Sequence, residues 1–286
     1  MKLKENLLGL LAQAYKKDVP VTIDAEESWR LEPTLTVFAE VIGTEPFRHW
    51  GKLGIAVQAY QKSALGVLEW LSSLSKTIHC LIPVRLVKGA YWDSEIKRAQ
   101  QLGLQEYPVY TSKAHTDLSY LACVHTLMQT RHFLYPQFAT HNAHTVASII
   151  TLSEEYHYSH FEFQRLHGMG QALYDHILLN TEDVLCRIYA PVGEYNKLLP
   201  YLVRRLLENG ASTSFVRLVN QNVDINYLAE EPIITIKNAD KLRNPYIPLP
   251  VRLFSPLRKN SSGINLESSH ELLSLKKGTR SFSQQQ

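Results

Sequence analysis

Residues 84–100 read VRLVKGAYWDSEIKRAQ, and the fold turns on how they are read. Apolar Val84, Leu86 and Val87, with Arg85 between them and Lys88 after, make a strand that Gly89 breaks. Asp93 or Ser94 then caps a helix running through 94–103. An arginine in the body of a strand is expensive unless something anionic and planar sits beside it. Two readings of Arg85 stand at this point: an edge strand with its guanidinium in water, or a cation placed for a ligand.

Outward from this stretch, strands and helices alternate. Strand patterns fall at 20–27, 53–61, 82–89, 137–144, 161–168, 186–193 and, short, at 212–216. Helical patterns fall at 29–42, 64–75, 94–103, 113–129, 144–155 and 198–209, the last with Gly210 at its C′ position. This alternation predicts parallel βαβ units. Nearly every strand is apolar through its body and polar at its C-terminal end: Asp24, Gln58, Lys88, Thr140-His141-Asn142, Gln164-Arg165 and Tyr189. Polar ends shared by so many strands fit the rim of a (β/α)8 barrel of the TIM type, whereas a doubly wound sheet concentrates its chemistry at one switch point. From about Asp240 the sequence is rich in proline, serine and asparagine and reads as an extended or disordered tail.

Composition narrows the function class. A net charge of +3 with no dense basic run argues against nucleic acid. Cys80, Cys123 and Cys186 are odd in number and widely spaced, which fits a reducing compartment and no disulfide framework. The opening MKLKENLLGLLAQA resembles a short signal peptide, but Glu5 and Asn6 interrupt it, and Leu3, Leu7, Leu10, Leu11 and Ala14 follow helical spacing. No stretch approaches the roughly 20 apolar residues of a membrane span.

Among the motifs, HNAH at 141–144 lacks further ligands at zinc-like spacing, so no metal site is expected. HGMG at 167–170 reads as a turn, and neither a Walker loop nor a GxSxG elbow occurs. Asp24 with Glu26 and Glu27 has no strand-end carboxylate to complete a glycosidase pair. On helix 198–209, Leu198, Leu199, Leu202, Val203, Leu206 and Leu207 form an apolar face opposite Arg204, Arg205 and Glu208. The two arginines are either a solvated face or a bidentate grip for a carboxylate.

RLVKGAYWDSEIKRAQ, YPVYT-x-KAHTDLSYLAC, YPQFATHNAHT, FEFQRLHGMG, CRIYAPVG and YLVRRLLENGASTSFV together resemble the proline dehydrogenase domain of the bifunctional proline utilization A flavoenzymes. The likeness runs from near residue 5 to about 217. The expected organisation is a dehydrogenase barrel over 1–220 and a tail over 221–286 that resembles the connection to an aldehyde dehydrogenase domain. The resemblance implies a barrel holding FAD, oxidation of L-proline to 1-pyrroline-5-carboxylate by hydride transfer to flavin N5, and electron transfer to a quinone. It implies a cytoplasmic protein, with peripheral association at the inner membrane.

Carried across by motif, Arg85 sits near flavin N5, and Gln58, Val87, Gly89, Thr111, Lys113, Thr140, His141, Asn142, Gln164, Glu208 and Phe215 line the FAD site. Lys113 and His141 serve as donors to the pyrophosphate. Arg204 and Arg205 clamp the proline carboxylate, while Asp24, Tyr91, Leu166 and Tyr189 enclose the ring. One departure stands out. The family's first barrel strand carries a substrate-binding lysine and precedes the helix with which MKLKEN opens, so strands two to eight are expected here. Three readings follow: an enzyme, alone or with a separately encoded N-terminal piece; an inactive truncated remnant of a bifunctional protein; or a binding or scaffold module of barrel type without catalysis, which the retained polar strand ends disfavour.

Overall fold

Side chains alternate across a strand, so each strand of this chain sorts its residues onto two faces of a sheet. The computed structural model describes residues 2–181, 184–210, 224, 226, 229–239 and 243–283. Its strands are β1 (Val21–Ile23), β2 (Leu53–Gln58), β3 (Ile82–Val87), β4 (Leu134–Ala139), β5 (Glu162–Leu166) and β6 (Leu185–Tyr189). Its helices are α1 (Lys2–Lys16), α2 (Leu31–Ile42), α3 (Ala64–Ile78), α4 (Trp92–Gln101), α5 (Lys113–Gln129), α6 (Ala143–Glu155), α7 (Gln171–Asn180), α8 (Tyr195–Gly210), α9 (Pro232–Lys237) and α10 (Ser269–Ser283).

The described strands form one six-stranded sheet in chain order, β1-β2-β3-β4-β5-β6. Every pair is parallel. The sheet curls into an open half-barrel of the TIM type. Sequential order with helical crossovers is what right-handed βαβ units produce, and it brings all C-terminal strand ends to one rim. The strand expected at 212–216 lies outside the described residues.

One face of the sheet is the core. Ile55, Val57, Val84, Leu86, Phe138 and Phe163 are buried against the helices, with Leu68, Leu71, Tyr120, Leu127 and Ile149 from α3, α5 and α6. Phe138, Phe161, Phe163 and Tyr174 pack ring to ring, with centroids 5.5 Å apart for the first pair and 5.6 Å for the last. Such pairs add about 0.5–1.5 kcal/mol each beyond the area they bury. The other face carries Gln58, Arg85, Gln137, Glu162, Gln164, Arg187 and Tyr189.

Three expectations about elements are corrected. Helix α4 begins at Trp92 with Tyr91 as its N-cap and no side-chain cap bond, so neither Asp93 nor Ser94 is the cap. Asp93 and Glu95 lie in the first turn, where a carboxylate meets the positive helix end. Gly210 is the last residue of α8 rather than the one beyond it. The segment after Asp240 is not simply extended, because its described part carries a turn at Pro250–Arg252 and helix α10. That segment is fastened to the barrel: the Tyr107 hydroxyl donates to Pro248 O at 2.7 Å, and Asn244 Nδ2 donates to Thr111 O at 3.2 Å. Ile247 packs on the cluster of Tyr60, Ile96, Ala99, Tyr107 and Val109. A proline- and serine-rich composition does not register such contacts. Among the described residues, no helix is long and apolar enough to cross a membrane.

Gly89 ends β3 with φ of +149°, and a Cβ there would lie 2.4 Å from Tyr60 Cγ. Gly89→Ala is therefore expected to cost about 2–4 kcal/mol, from strain and overpacking together. A urea unfolding curve measures it, and an unchanged midpoint would show that the turn can shift at no cost.

Candidate active site

Arg85 lies in β3 on the polar face, half-buried, with its neighbours supplied by three other strands or their ends. Its Nε donates to Gln164 Oε1 on β5 at 2.7 Å. Its Nη1 donates to Asp24 Oδ1, just past β1, at 3.3 Å. The Tyr189 ring at the end of β6 lies 5.8 Å from the guanidinium carbon. The Asp24 side chain is 75% exposed, so that ion pair contributes little stability. The Gln164 bond is the firm one.

Gln58, at the end of β2, is buried and uses both ends of its amide. Its Nε2 donates to Glu26 O at 2.7 Å, and its Oε1 accepts from Ala90 N at 3.3 Å. This bond helps hold the β3–α4 turn, in which Val87, Gly89 and Tyr91 stand at the rim. Thr111 follows on the next loop, held through its carbonyl by Asn244.

A second cluster sits where β3 meets α5. Lys88 and Lys113 both hydrogen-bond the Asp117 carboxylate. Burial raises the Asp117 carboxyl, but the two lysines outweigh it and hold the group below its ordinary range. Lys88 also lies 5.8 Å from the centre of the Tyr120 ring.

His141, past β4, is placed differently from a simple donor. Its Nε2 accepts from Leu166 N at 3.0 Å, so the neutral ring carries its proton on Nδ1, and only Nδ1–H remains to donate. Burial first, then the cations Arg205 and Arg165, push its pKa down to about 4. Thr140 Oγ1 accepts from Asn142 N at 3.2 Å, and Asn142 caps α6 by accepting from Thr145 N at 3.1 Å. Leu166 is buried at the end of β5.

On α8 the two expected arginines point at aromatic rings. The Arg204 guanidinium lies 5.1 Å from the Tyr91 ring centre and that of Arg205 lies 5.3 Å from Tyr201. Arg204 Nε is buried and has no hydrogen-bond partner among the described residues. Burial raises the Tyr91 phenol and Arg204 opposes that shift. The expected apolar face of α8 is not sealed: Leu199, Leu202 and Val203 remain exposed. The side chain of Glu208 and the whole of Phe215 lie outside the described residues, as do the side chains of Leu206 and Leu207.

The site thus brings Asp24, Gln164 and Tyr189 together around the Arg85 guanidinium, sets Gln58 against the β3–α4 turn, and joins Tyr91 to Arg204 and Leu166 to His141. Sequence reasoning missed Glu162, Arg187, Asp117 and Gln137. Glu162, at the start of β5, and Gln137, in the body of β4, stand away from the C-terminal strand ends that marked the rim. The signal was present: Glu162 precedes Gln164 by two residues and therefore shares its face.

The donors suit a flavin dinucleotide in kind. A fixed cation and a buried amide flank one part of the rim, as a planar ring that gains negative charge requires. Lys88 and Lys113 at the β3 rim and the N-terminus of α6 at the β4 rim offer cationic and N–H donors to phosphates. Arg204 Nε is a buried donor with no partner among the described residues.

Comparison with known proteins gives a consistent result. The family described as Proline dehydrogenase matches residues 1–218. The Bifunctional protein PutA of Escherichia coli (strain K12) is 46% identical over 280 residues, covering 94% of this chain and 21% of that protein. Its counterpart in Rhizobium meliloti is 43% identical over 278 residues, covering 96% of this chain and 22% of that protein. A crystal structure of proline utilization A from Bradyrhizobium japonicum superposes with a TM-score of 0.91 at 46% identity, covering 96% of this chain and 28% of that one. The chain spans about a fifth of the length of the curated relatives it matches.

The buried neutral His141 carries a pH signature. Its folded pKa of about 4 lies below the ordinary 6.5, so the unfolded chain binds the proton first as pH falls. The His141 contribution is complete above pH 6.5 and is lost progressively toward about 4. The expected loss is about 3 kcal/mol, and His141→Gln flattens that part of the profile. Denaturant midpoints at stepped pH measure it.

Proposed function

The chain belongs to the proline dehydrogenase family, and from that premise we propose that it oxidises L-proline to 1-pyrroline-5-carboxylate with FAD. The observation that carries this reading is Arg85: a half-buried guanidinium fixed by Gln164 and flanked by Asp24 and Tyr189 on the rim of a parallel sheet. The oxidation removes a hydride from C5 and a proton from the ring nitrogen. When bound, FAD supplies the two-electron acceptor, and a quinone receives the electrons afterwards.

The chain's own residues supply binding, orientation and electrostatics. Arg85 offers a fixed positive charge where negative charge gathers as the substrate is oxidised, and a preorganised donor does this without reorganising at the moment of reaction. Gln58 presents a buried amide beside the β3–α4 turn. Val87, Gly89, Thr111, Lys113, Thr140, His141, Asn142, Gln164, Glu208 and Phe215 would hold the remainder of the cofactor, with Lys113 and the His141 Nδ1–H as donors to its phosphates. Arg204 and Arg205 hold the proline carboxylate. The paired forks of two guanidinium groups fix its plane as well as its place. Asp24, Tyr91, Leu166 and Tyr189 enclose the ring, and the apolar surfaces of Tyr91, Leu166 and Tyr189 exclude water from C5. Proximity and orientation then account for most of the acceleration, with no covalent nucleophile.

The proposal places the protein in the cytoplasm or peripherally on the inner membrane, where a quinone is within reach.

The test is turnover of the FAD-loaded chain with L-proline and a soluble quinone, followed through the coloured adduct of 1-pyrroline-5-carboxylate with o-aminobenzaldehyde. Product is expected from the wild-type chain. Arg85→Met is expected to lower kcat by about 100- to 1000-fold, the scale for removing a preorganised donor. Arg204→Met is expected to raise KM for proline about tenfold or more, by loss of a charge-assisted hydrogen bond. A chain that holds FAD and yields no product from L-proline would overturn the reading.

A further inference from the structure

Four hydrogen bonds converge on one carboxylate that takes no part in the proposed reaction. Glu162 opens β5 and is 3% exposed. Its Oε1 accepts from Gln137 Nε2 at 3.0 Å, from Gln164 Nε2 at 2.7 Å and from Arg187 Nε at 2.9 Å. Its Oε2 accepts from Arg187 Nη2 at 2.8 Å. The register places these donors: Gln137 is paired with Glu162 across β4 and β5, and Gln164 with Arg187 across β5 and β6.

An ionised carboxylate only accepts. Any amide that meets it must turn its NH2 toward it and its oxygen away. The cost is visible at Gln137, whose Oε1 is buried with no hydrogen-bond partner among the described residues. At Gln164 the oxygen turned away is the one that receives Arg85 Nε. Burial raises the Glu162 carboxyl, but Arg187, Gln164 and Gln137 together hold it below its ordinary range, so it stays ionised. Donation along Arg187–Glu162–Gln164–Arg85 therefore converges on Glu162: Arg187 donates to it directly, and Arg85 donates to Gln164, which donates to it in turn.

We propose that Glu162 is a positioning residue for the oxidation: it fixes the amide of Gln164 and, through it, the place of the Arg85 guanidinium toward the flavin. This rests on the flavin reading of the site. Glu162 touches neither substrate nor cofactor in this account.

Glu162→Gln removes the acceptor-only character. Its new NH2 must oppose either Arg187 or the NH2 of Gln164, and the relieved arrangement turns Gln164 so that donor faces donor at Arg85. The reduction potential of bound FAD separates the possibilities. If Glu162 acts by positioning Arg85, its loss takes the cation away from the flavin and the potential falls. If Glu162 acts only through its own charge, its loss raises the potential. A purely structural role leaves the potential unmoved.

The expected results are a lower potential in Glu162→Gln and a fall of about ten- to a hundredfold in the rate of flavin reduction by L-proline, the range that outer partners of a site command. KM is expected to change little. Gln164→Leu should lower the potential too, and adding Glu162→Gln to it should add nothing, because both act through one bond. Additive shifts, an unmoved potential or a raised one would overturn the proposal. Should Glu162→Gln not fold, Glu162→Gln with Arg187→Gln removes both charges together and is read the same way. One measurement stands without FAD. In the apo chain, nitrogen-15 spectra should show a protected Arg85 Nε–H that exchanges freely in the Glu162 variant. Protection that persists in the variant contradicts the inference even if the flavin reading fails, and loss of protection supports it.

Discussion

A guanidinium in the body of a strand needs an acceptor that is itself held in place. Arg85 has one in Gln164, and Gln164 is oriented by Glu162, which Arg187 and Gln137 satisfy in turn. These five side chains come from four neighbouring strands, so the arrangement exists only when β3, β4, β5 and β6 are in register. A slip of one residue at any of these pairings would send every member to the opposite face, into the aliphatic and aromatic core. The polar face is thus costly to misassemble, and the site and the register of the sheet specify each other.

The division of labour follows from the two-residue period of a strand. The core face, built around Leu86, Phe138 and Phe163, supplies the hydrophobic burial. The polar face contributes little net stability, because buried ion pairs spend most of their attraction on desolvation. What it supplies is a set of fixed dipoles and charges. The rim beyond it repeats the pattern on a smaller scale, with Asp117 neutralised by Lys88 and Lys113 and with His141 held neutral by burial and by the Leu166 N–H.

Much of this was legible in the sequence, for reasons that can be named. Arg85 and Lys88 stood out because charge inside an apolar run violates the usual cost of burial. Gln58, Gln164 and Tyr189 were found because strand ends gather on one rim. Glu162 was not found, since a carboxylate early in a strand reads as a solvated residue unless its cross-strand partners are known. Arg187 failed for the same reason, as register is a property of the fold and not of one segment. Asp93 and Ser94 looked like caps by composition, yet the turn geometry set by Gly89 and Gln58 starts α4 earlier, at Trp92. The contacts of Tyr107 and Asn244 with the chain after Asp240 are equally long-range, and proline and serine content could not announce them.

The central claim is that the polar face centred on Arg85 works on a flavin with L-proline as the electron donor. The visible spectrum of the FAD-loaded chain under anaerobic conditions, before and after L-proline, tests it most directly. The account predicts bound-flavin bands that bleach on addition of L-proline and persist with D-proline. Bands that remain unchanged with L-proline, in protein shown to hold FAD, would contradict it.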